Sequence, residues 1–148
     1  MEDHEKDFYQ NMRHQIREWV GSKAGKGNKF SEYLLFAPDL FHLLCKLTFD
    51  KRINAKDKAK FGAAIVYFVS PVDLVPEGLI GPAGYLDDVA ISAYVLNQYL
   101  NRNDETVVRE HWAGDEDVLD VIKMILAVAD EMIGAGMWRK LKGMFNRI

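Results

Sequence analysis

The run Phe61-Gly62-Ala63-Ala64-Ile65-Val66-Tyr67-Phe68-Val69, closed by Ser70-Pro71, is apolar around its whole circumference when wound as a helix. Its β-branched and aromatic residues from Ile65 to Val69 also suit a strand. Two features favour the helix. Upstream, Asn54 is a good N-cap and Asp57 stands three residues on, the spacing of a capping box. No neighbouring segment alternates with period two, so a strand here would have nothing to pair with. The spacing predicts a helix over 55–69, ended where Pro71 disfavours helical geometry at Ser70. A helix apolar on all sides is expected to be buried on most of them.

Working outward, Leu86, Val89, Ala93, Leu96 and Leu100 predict a helix over 85–100, with Ile91 and Val95 as a second apolar face. Between the two helices lie Pro71, Pro76 and Pro82 with Gly78, Gly81 and Gly84, the composition of a structured loop. A short helical turn at 72–75 fits there. The hairpin over 59–100 is expected at the centre of the molecule.

Towards the N-terminus, Phe8, Met12, Ile16, Trp19 and Val20 predict a helix over 5–20, stopped by Gly21. Residues 22–29, rich in Gly and Lys, read as a mobile linker completing an N-terminal unit over 1–29. The order of Gly21, Lys26 and Gly27 does not fit a phosphate-binding loop. Over 30–49 a helical pattern is interrupted by Pro38, which demands a kink or a fresh start near Ala37. Leu40, Leu43, Leu44 and Leu47 share its apolar face.

Towards the C-terminus, Asn103 or Asp104 caps a short helix reaching Trp112. Asp115 is read as the cap of another through Ile133, with Val118, Ile122, Ile125, Leu126, Ala129 and Ile133 inward. After Gly134-Ala135-Gly136 comes a last amphipathic helix over 137–148. The fold class is all-α, a compact bundle of six to seven helices in one domain spanning 1–148.

The totals agree. A chain of 148 residues, 49% hydrophobic and 28% charged, buries roughly two-thirds of its unfolded surface without disulfide or structural metal. Nineteen Lys and Arg against 22 Asp and Glu leave a net charge of -3, which argues against nucleic acid as a partner. The single cysteine, Cys45, sits in a leucine-rich run and reads as a buried thiol. The charged opening Met1–Asp7 does not read as a signal peptide, and no apolar run approaches the ~20 residues of a membrane span. A cytoplasmic location is expected, possible contact with the inner membrane face included.

The least generic residues are Tyr67, Ser70, Pro71, Asp73, Leu74 and Pro76, followed after a spacer by Gly84, Tyr85, Asp87 and Asp88. In this order and spacing the segment resembles the YkvA-like family of bacterial domains of unknown function, over about residues 59–100. Val75 stands where the family has Ile, and Glu77 where Asp is common. The resemblance implies a helical hairpin and no assigned activity. It also implies kinship with members that look membrane-associated and with others fused to a RING ubiquitin ligase.

The three acids have two readings. In the preferred one they are structural: Asp73 bonds backbone amides of its turn, and Asp87 and Asp88 complement the positive start of the helix over 85–100. Lys56, Lys58 or Lys60 would then pair with them. In the other, Asp73, Asp87 and Asp88 converge on Mg²⁺ or Mn²⁺ and activate water, with Asp39 and His42 as further ligands. No metal-protease or Cys/His motif supports this, and no cofactor is expected.

Ser70 lacks a nucleophile-elbow context. His42 and His111 read as hydrogen-bonded structural residues, His4 and His14 as exposed, and Trp19, Trp112 and Trp138 as core or interface anchors. In the last helix Met137, Leu141, Met144, Phe145 and Ile148 share one face, with Trp138 at its edge and Arg139, Lys140, Lys142 and Arg147 on the rest. Such a helix closes the domain's own core, lies on an anionic membrane, or fits a protein partner or a second copy. The leading functional expectation is a non-enzymatic binding or scaffold module. The alternative is a divalent-metal-dependent enzyme built on the three acids.

Overall fold

The computed structural model describes residues 3–26, 29–69 and 85–148. Its helices are α1 (Asp3–Gly21), the single turn α2 (Lys23–Lys26), α3 (Ala37–Thr48), α4 (Ala55–Val69), α5 (Tyr85–Leu100), α6 (Thr106–His111), α7 (Val118–Ile133) and α8 (Ala135–Asn146), with a 3-10 helix at Ser31–Phe36. Seven of these are longer than one turn and no strand occurs among the described residues, so the all-α reading holds.

The helix over 85–100 forms where its pattern placed it. As α5 it packs against α3, α4, α7, α8 and the 3-10 helix, which is why both of its apolar faces are buried. The helix over 55–69 also has its expected bounds. Asp57 N–H donates to Asn54 Oδ1 at 2.9 Å, and Asn54 Nδ2 donates back to Asp57 Oδ2 at 2.6 Å, a side-chain version of the capping box.

The burial of α4 differs from expectation. It packs mainly on α3 and α5, through Phe61, Ala64 and Phe68. Val66 and Val69 remain 64% and 47% exposed. The reason is topological: α7 lies along α5 rather than along α4, so among the described residues α4 sits at the edge with one side covered. Both helices of the expected hairpin pack into the bundle, and among the described residues α5 is the more central of the two.

Phe41 on α3 joins three helices, its ring centroid 4.8 Å from that of Phe8 on α1 and 5.5 Å from that of Phe68 on α4. Cys45 is buried on the same helix. Pro38 occupies the first turn of α3, where its missing N–H costs no hydrogen bond, and the chain makes its fresh start at Ala37. Part of the segment read as a mobile linker is the helical turn α2.

Further along, α7 begins at Val118, not after Asp115. Its cap is Asp117, whose Oδ1 accepts the Leu119 N–H at 2.8 Å. The preceding turn is pinned from outside: Arg109 Nη1 reaches Asp117 Oδ2 at 3.1 Å, and Trp112 Nε1 donates to the Glu116 carbonyl at 2.7 Å. Gly114 lies so close under the Trp112 indole that a Cβ there would overlap the ring. A single residue, Gly134 with φ 93°, separates α7 from α8. That conformation favours glycine, and it lets α8 begin two residues earlier than its periodicity suggests.

Candidate functional site

Asp87 and Asp88 stand in the first turn of α5, as the sequence predicts. Neighbouring residues on a helix point about 100° apart. Asp88 turns inward and is 6% exposed, whereas Asp87 stays half-buried. Burial pushes the Asp87 carboxyl up to about 6, because withdrawal from water penalises its charged form. Asp73 lies outside the described residues, as do Ser70, Pro71, Leu74, Pro76 and Gly84 of the same motif. Among the described residues no three His, Cys, Asp or Glu side chains are grouped to hold a metal ion.

Asp39 and His42 are committed to the contact between α1 and α3. The Tyr9 hydroxyl donates to Asp39 Oδ1 at 3.2 Å and accepts from Arg13 Nη1 at 3.3 Å. The Tyr9 ring lies 5.9 Å from the His42 ring. For His42 no hydrogen bond of the expected kind is found among the described residues: its buried Nδ1 has no partner there, and burial lowers its pKa. It is an aromatic packing piece. His111 does fit expectation, with Nε2 2.8 Å from Asp50 Oδ2. Asp50 also accepts from the Arg52 backbone and guanidinium, which hold its carboxyl well below the usual carboxylate range.

Among the described residues Lys60 pairs with Gln98 and not with Asp87 or Asp88. Its Nζ donates to Gln98 Oε1 at 3.1 Å on α5. Gln98 Nε2 in turn donates to Asn146 Oδ1 at 2.7 Å, and the Tyr94 hydroxyl reaches the same oxygen at 2.9 Å. This chain of bonds ties α4, α5 and α8 together. Asp57, the one acid of α4, is buried and paired with Arg102 at 2.9 Å.

The last helix is docked on the body through Trp138, Leu141 and Phe145, which are all buried. Trp138 meets Tyr94 edge-on with centroids 5.7 Å apart, and Phe145 meets Tyr67 at 6.5 Å. Trp138 is therefore in the docked face and not at its edge. Met144 and Ile148, read as members of that face, are 45% and 42% exposed. Two apolar stripes overlap on α8 and share Leu141; the one with the large aromatics is buried, and the other is left at the surface. A shallow groove of about 230 Å³ runs between α4 and α8, lined by Ala63, Val66, Tyr67, Met144, Phe145 and Ile148. Arg139, Lys140 and Arg147 are exposed, Lys140 and Arg147 on the same side of the helix as Met144, and Lys142 Nζ lies 5.4 Å over the Trp138 ring.

A second groove, of about 870 Å³, opens between the end of α5, α6 and α7, with Leu100, Leu119 and Ile122 on its floor. Its residues come from three separate segments, so no sequence motif announces it. Arg109 on its rim is held by Glu105 and Asp117, each at 3.1 Å.

Residues 57–94 match the model of a family described as a protein of unknown function (DUF1232). This bears out the resemblance drawn from the Tyr67 to Asp88 motif. The matched stretch begins in the first turn of α4 and ends within α5, so α8 lies outside it. An uncharacterized protein, ORF9, of Methanothermobacter thermautotrophicus is 26% identical over 107 residues, covering 72% of this chain and 73% of the relative. No solved structure matches the chain significantly.

Proposed function

We propose that this protein is a non-enzymatic helical binding module whose docking surface is the outward side of α8. The observation that carries this reading is the split use of α8. Its aromatic stripe secures it to the body, while Met144 and Ile148 stay exposed beside Lys140 and Arg147. A helix needed only to close the core gains nothing from a second apolar stripe in water, whereas a docking helix uses it. The sequence adds that no nucleophile and base stand together in a recognisable motif.

Wild-type protein immobilised in native extract is expected to retain a specific partner, and the variant Lys140→Glu with Met144→Glu to lose it. Both positions are exposed, so the fold should survive. Equal retention by the two proteins overturns the reading.

The second reading, a divalent-metal-dependent enzyme using Asp73, Asp87 and Asp88, is favoured by one observation. A half-buried carboxyl pushed up to about 6 is costly to ionise alone, and a cation beside it would relieve that cost. Calorimetry with Mg²⁺, Mn²⁺ and Zn²⁺ separates the two. Heat of binding at millimolar metal that disappears in Asp87→Asn would displace the binding-module reading.

A further inference from the structure

We infer that the exposed side of α4 and the outward edge of α8 form one docking face for the surface of an anionic lipid bilayer. This rests on the binding-module reading and names its partner.

The first ground is shape. On α4, Ala59, Gly62, Val66 and Val69 recur at helical spacing on the side opposite Phe61, Ala64 and Phe68. That side bears no charge from Ala59 onward. It meets Met144 and Ile148 across the shallow α4–α8 groove, so apolar side chains from helices far apart in sequence share one surface.

The second ground is charge. Across the whole of α4 and α8 the only acid is Asp57, which is buried and held by Arg102. Flanking the apolar patch by helical spacing stand Lys56 and Lys58 on α4, Lys140 on α8, and Arg147 just beyond it. Among the described residues, a protein with a net charge of -3 thus presents on these two helices a face with cations and no exposed acid. Its complement is a negatively charged surface.

The third ground is the form of the patch. A helix partner needs a groove deep enough to seat several side chains in register. Here the groove is shallow, and Val66 projects from it. A bilayer interface accepts projecting apolar side chains of any outline, with cations at headgroup level. No described helix is long and apolar enough to cross a membrane, so the contact is peripheral.

The test is co-sedimentation of the full chain with phosphatidylcholine vesicles, with and without phosphatidylglycerol, at low and raised salt. Binding is expected only to the vesicles containing phosphatidylglycerol, with release as salt rises. Lys140→Glu should lower the partition by roughly fivefold or more. Val66→Asp and Met144→Asp should each lower it about tenfold, equivalent to losing one apolar anchor. Met124→Asp, at an exposed apolar position on α7, should bind as wild type. Urea unfolding confirms that each variant is folded. The proposal is overturned if the protein ignores the anionic vesicles, sediments equally with phosphatidylcholine alone, or binds undiminished as Val66→Asp. If it ignores vesicles yet still retains extract material that Lys140→Glu with Met144→Glu loses, the bilayer is wrong and the binding module stands. Loss of both removes the binding module as well.

Discussion

Replacing Asp87 with Asn should stabilise the protein above about pH 4 and not below it. In the folded state the carboxyl titrates near 6, against 3.8 for its ordinary value, and the cause is burial. The sign follows from proton linkage. Between about pH 4 and 6 the unfolded chain releases this proton while the folded chain keeps it, so stability falls as pH rises through that window. Below about pH 4 both states hold the proton and Asp87 costs nothing. Above 6 both are ionised and the penalty is constant. Each pH unit between the two titrations corresponds to ~1.4 kcal/mol, which gives about 3 kcal/mol as an unscreened ceiling. Asp87 keeps some solvent contact, and its charge gains up to ~1 kcal/mol from the start of α5. The net penalty at pH 7 is therefore about 1–2 kcal/mol. Urea unfolding of wild type and Asp87→Asn at pH 7 and pH 4 measures it. The variant should be more stable at pH 7 and indistinguishable at pH 4. A variant less stable at pH 7, or a difference that does not change with pH, refutes the reasoning and marks Asp87 as a carboxylate whose charge the fold uses.

Three further outcomes follow from the packing. Phe41→Ala removes the ring joining α1, α3 and α4 and should cost ~3–5 kcal/mol in urea unfolding; a loss under ~1 kcal/mol contradicts the assigned core. Gly114→Ala drives a methyl group into the Trp112 indole and should cost ~1–3 kcal/mol with a shift in tryptophan emission; an unchanged emission spectrum counts against that contact. Truncation after Gly136 removes buried Trp138, Leu141 and Phe145 and should leave the domain unfolded or greatly destabilised; an unchanged melting temperature would show that α8 is not docked.

The hairpin helices were legible because their punctuation is local. Asn54 with Asp57 sets the start of α4, Pro71 limits its end, and the apolar repeat from Leu86 fixes α5. The start of α7 was not legible in the same way. Asp115, Glu116 and Asp117 are three consecutive acids, and the choice of Asp117 is made by Arg109 and the Trp112 turn. The exposure of α4 escaped the sequence for a different reason. Periodicity shows which sides of a helix are apolar; it does not show how many neighbours arrive to cover them. An all-apolar run therefore reads alike in a core and at a docking edge. On α8 the periodicity pointed to one face through Met144 with Trp138 at its edge; the docked face is instead the one that meets Tyr67 and Tyr94 on other helices. Of the motif acids, the placement of Asp87 and Asp88 was legible in the sequence, while the burial that raises the Asp87 pKa was not.

The outward edge of α8 should become covered when the protein binds. Cys45 is buried, so Met144→Cys supplies the accessible thiol for an environment-sensitive fluorophore. Anionic vesicles should shift the emission of that probe to the blue and shield it from an aqueous quencher, while a probe at the exposed Glu131→Cys on α7 stays unchanged. A probe at 144 that remains as solvent-exposed with vesicles as without them, or one that responds no more than the probe at 131, would contradict the account.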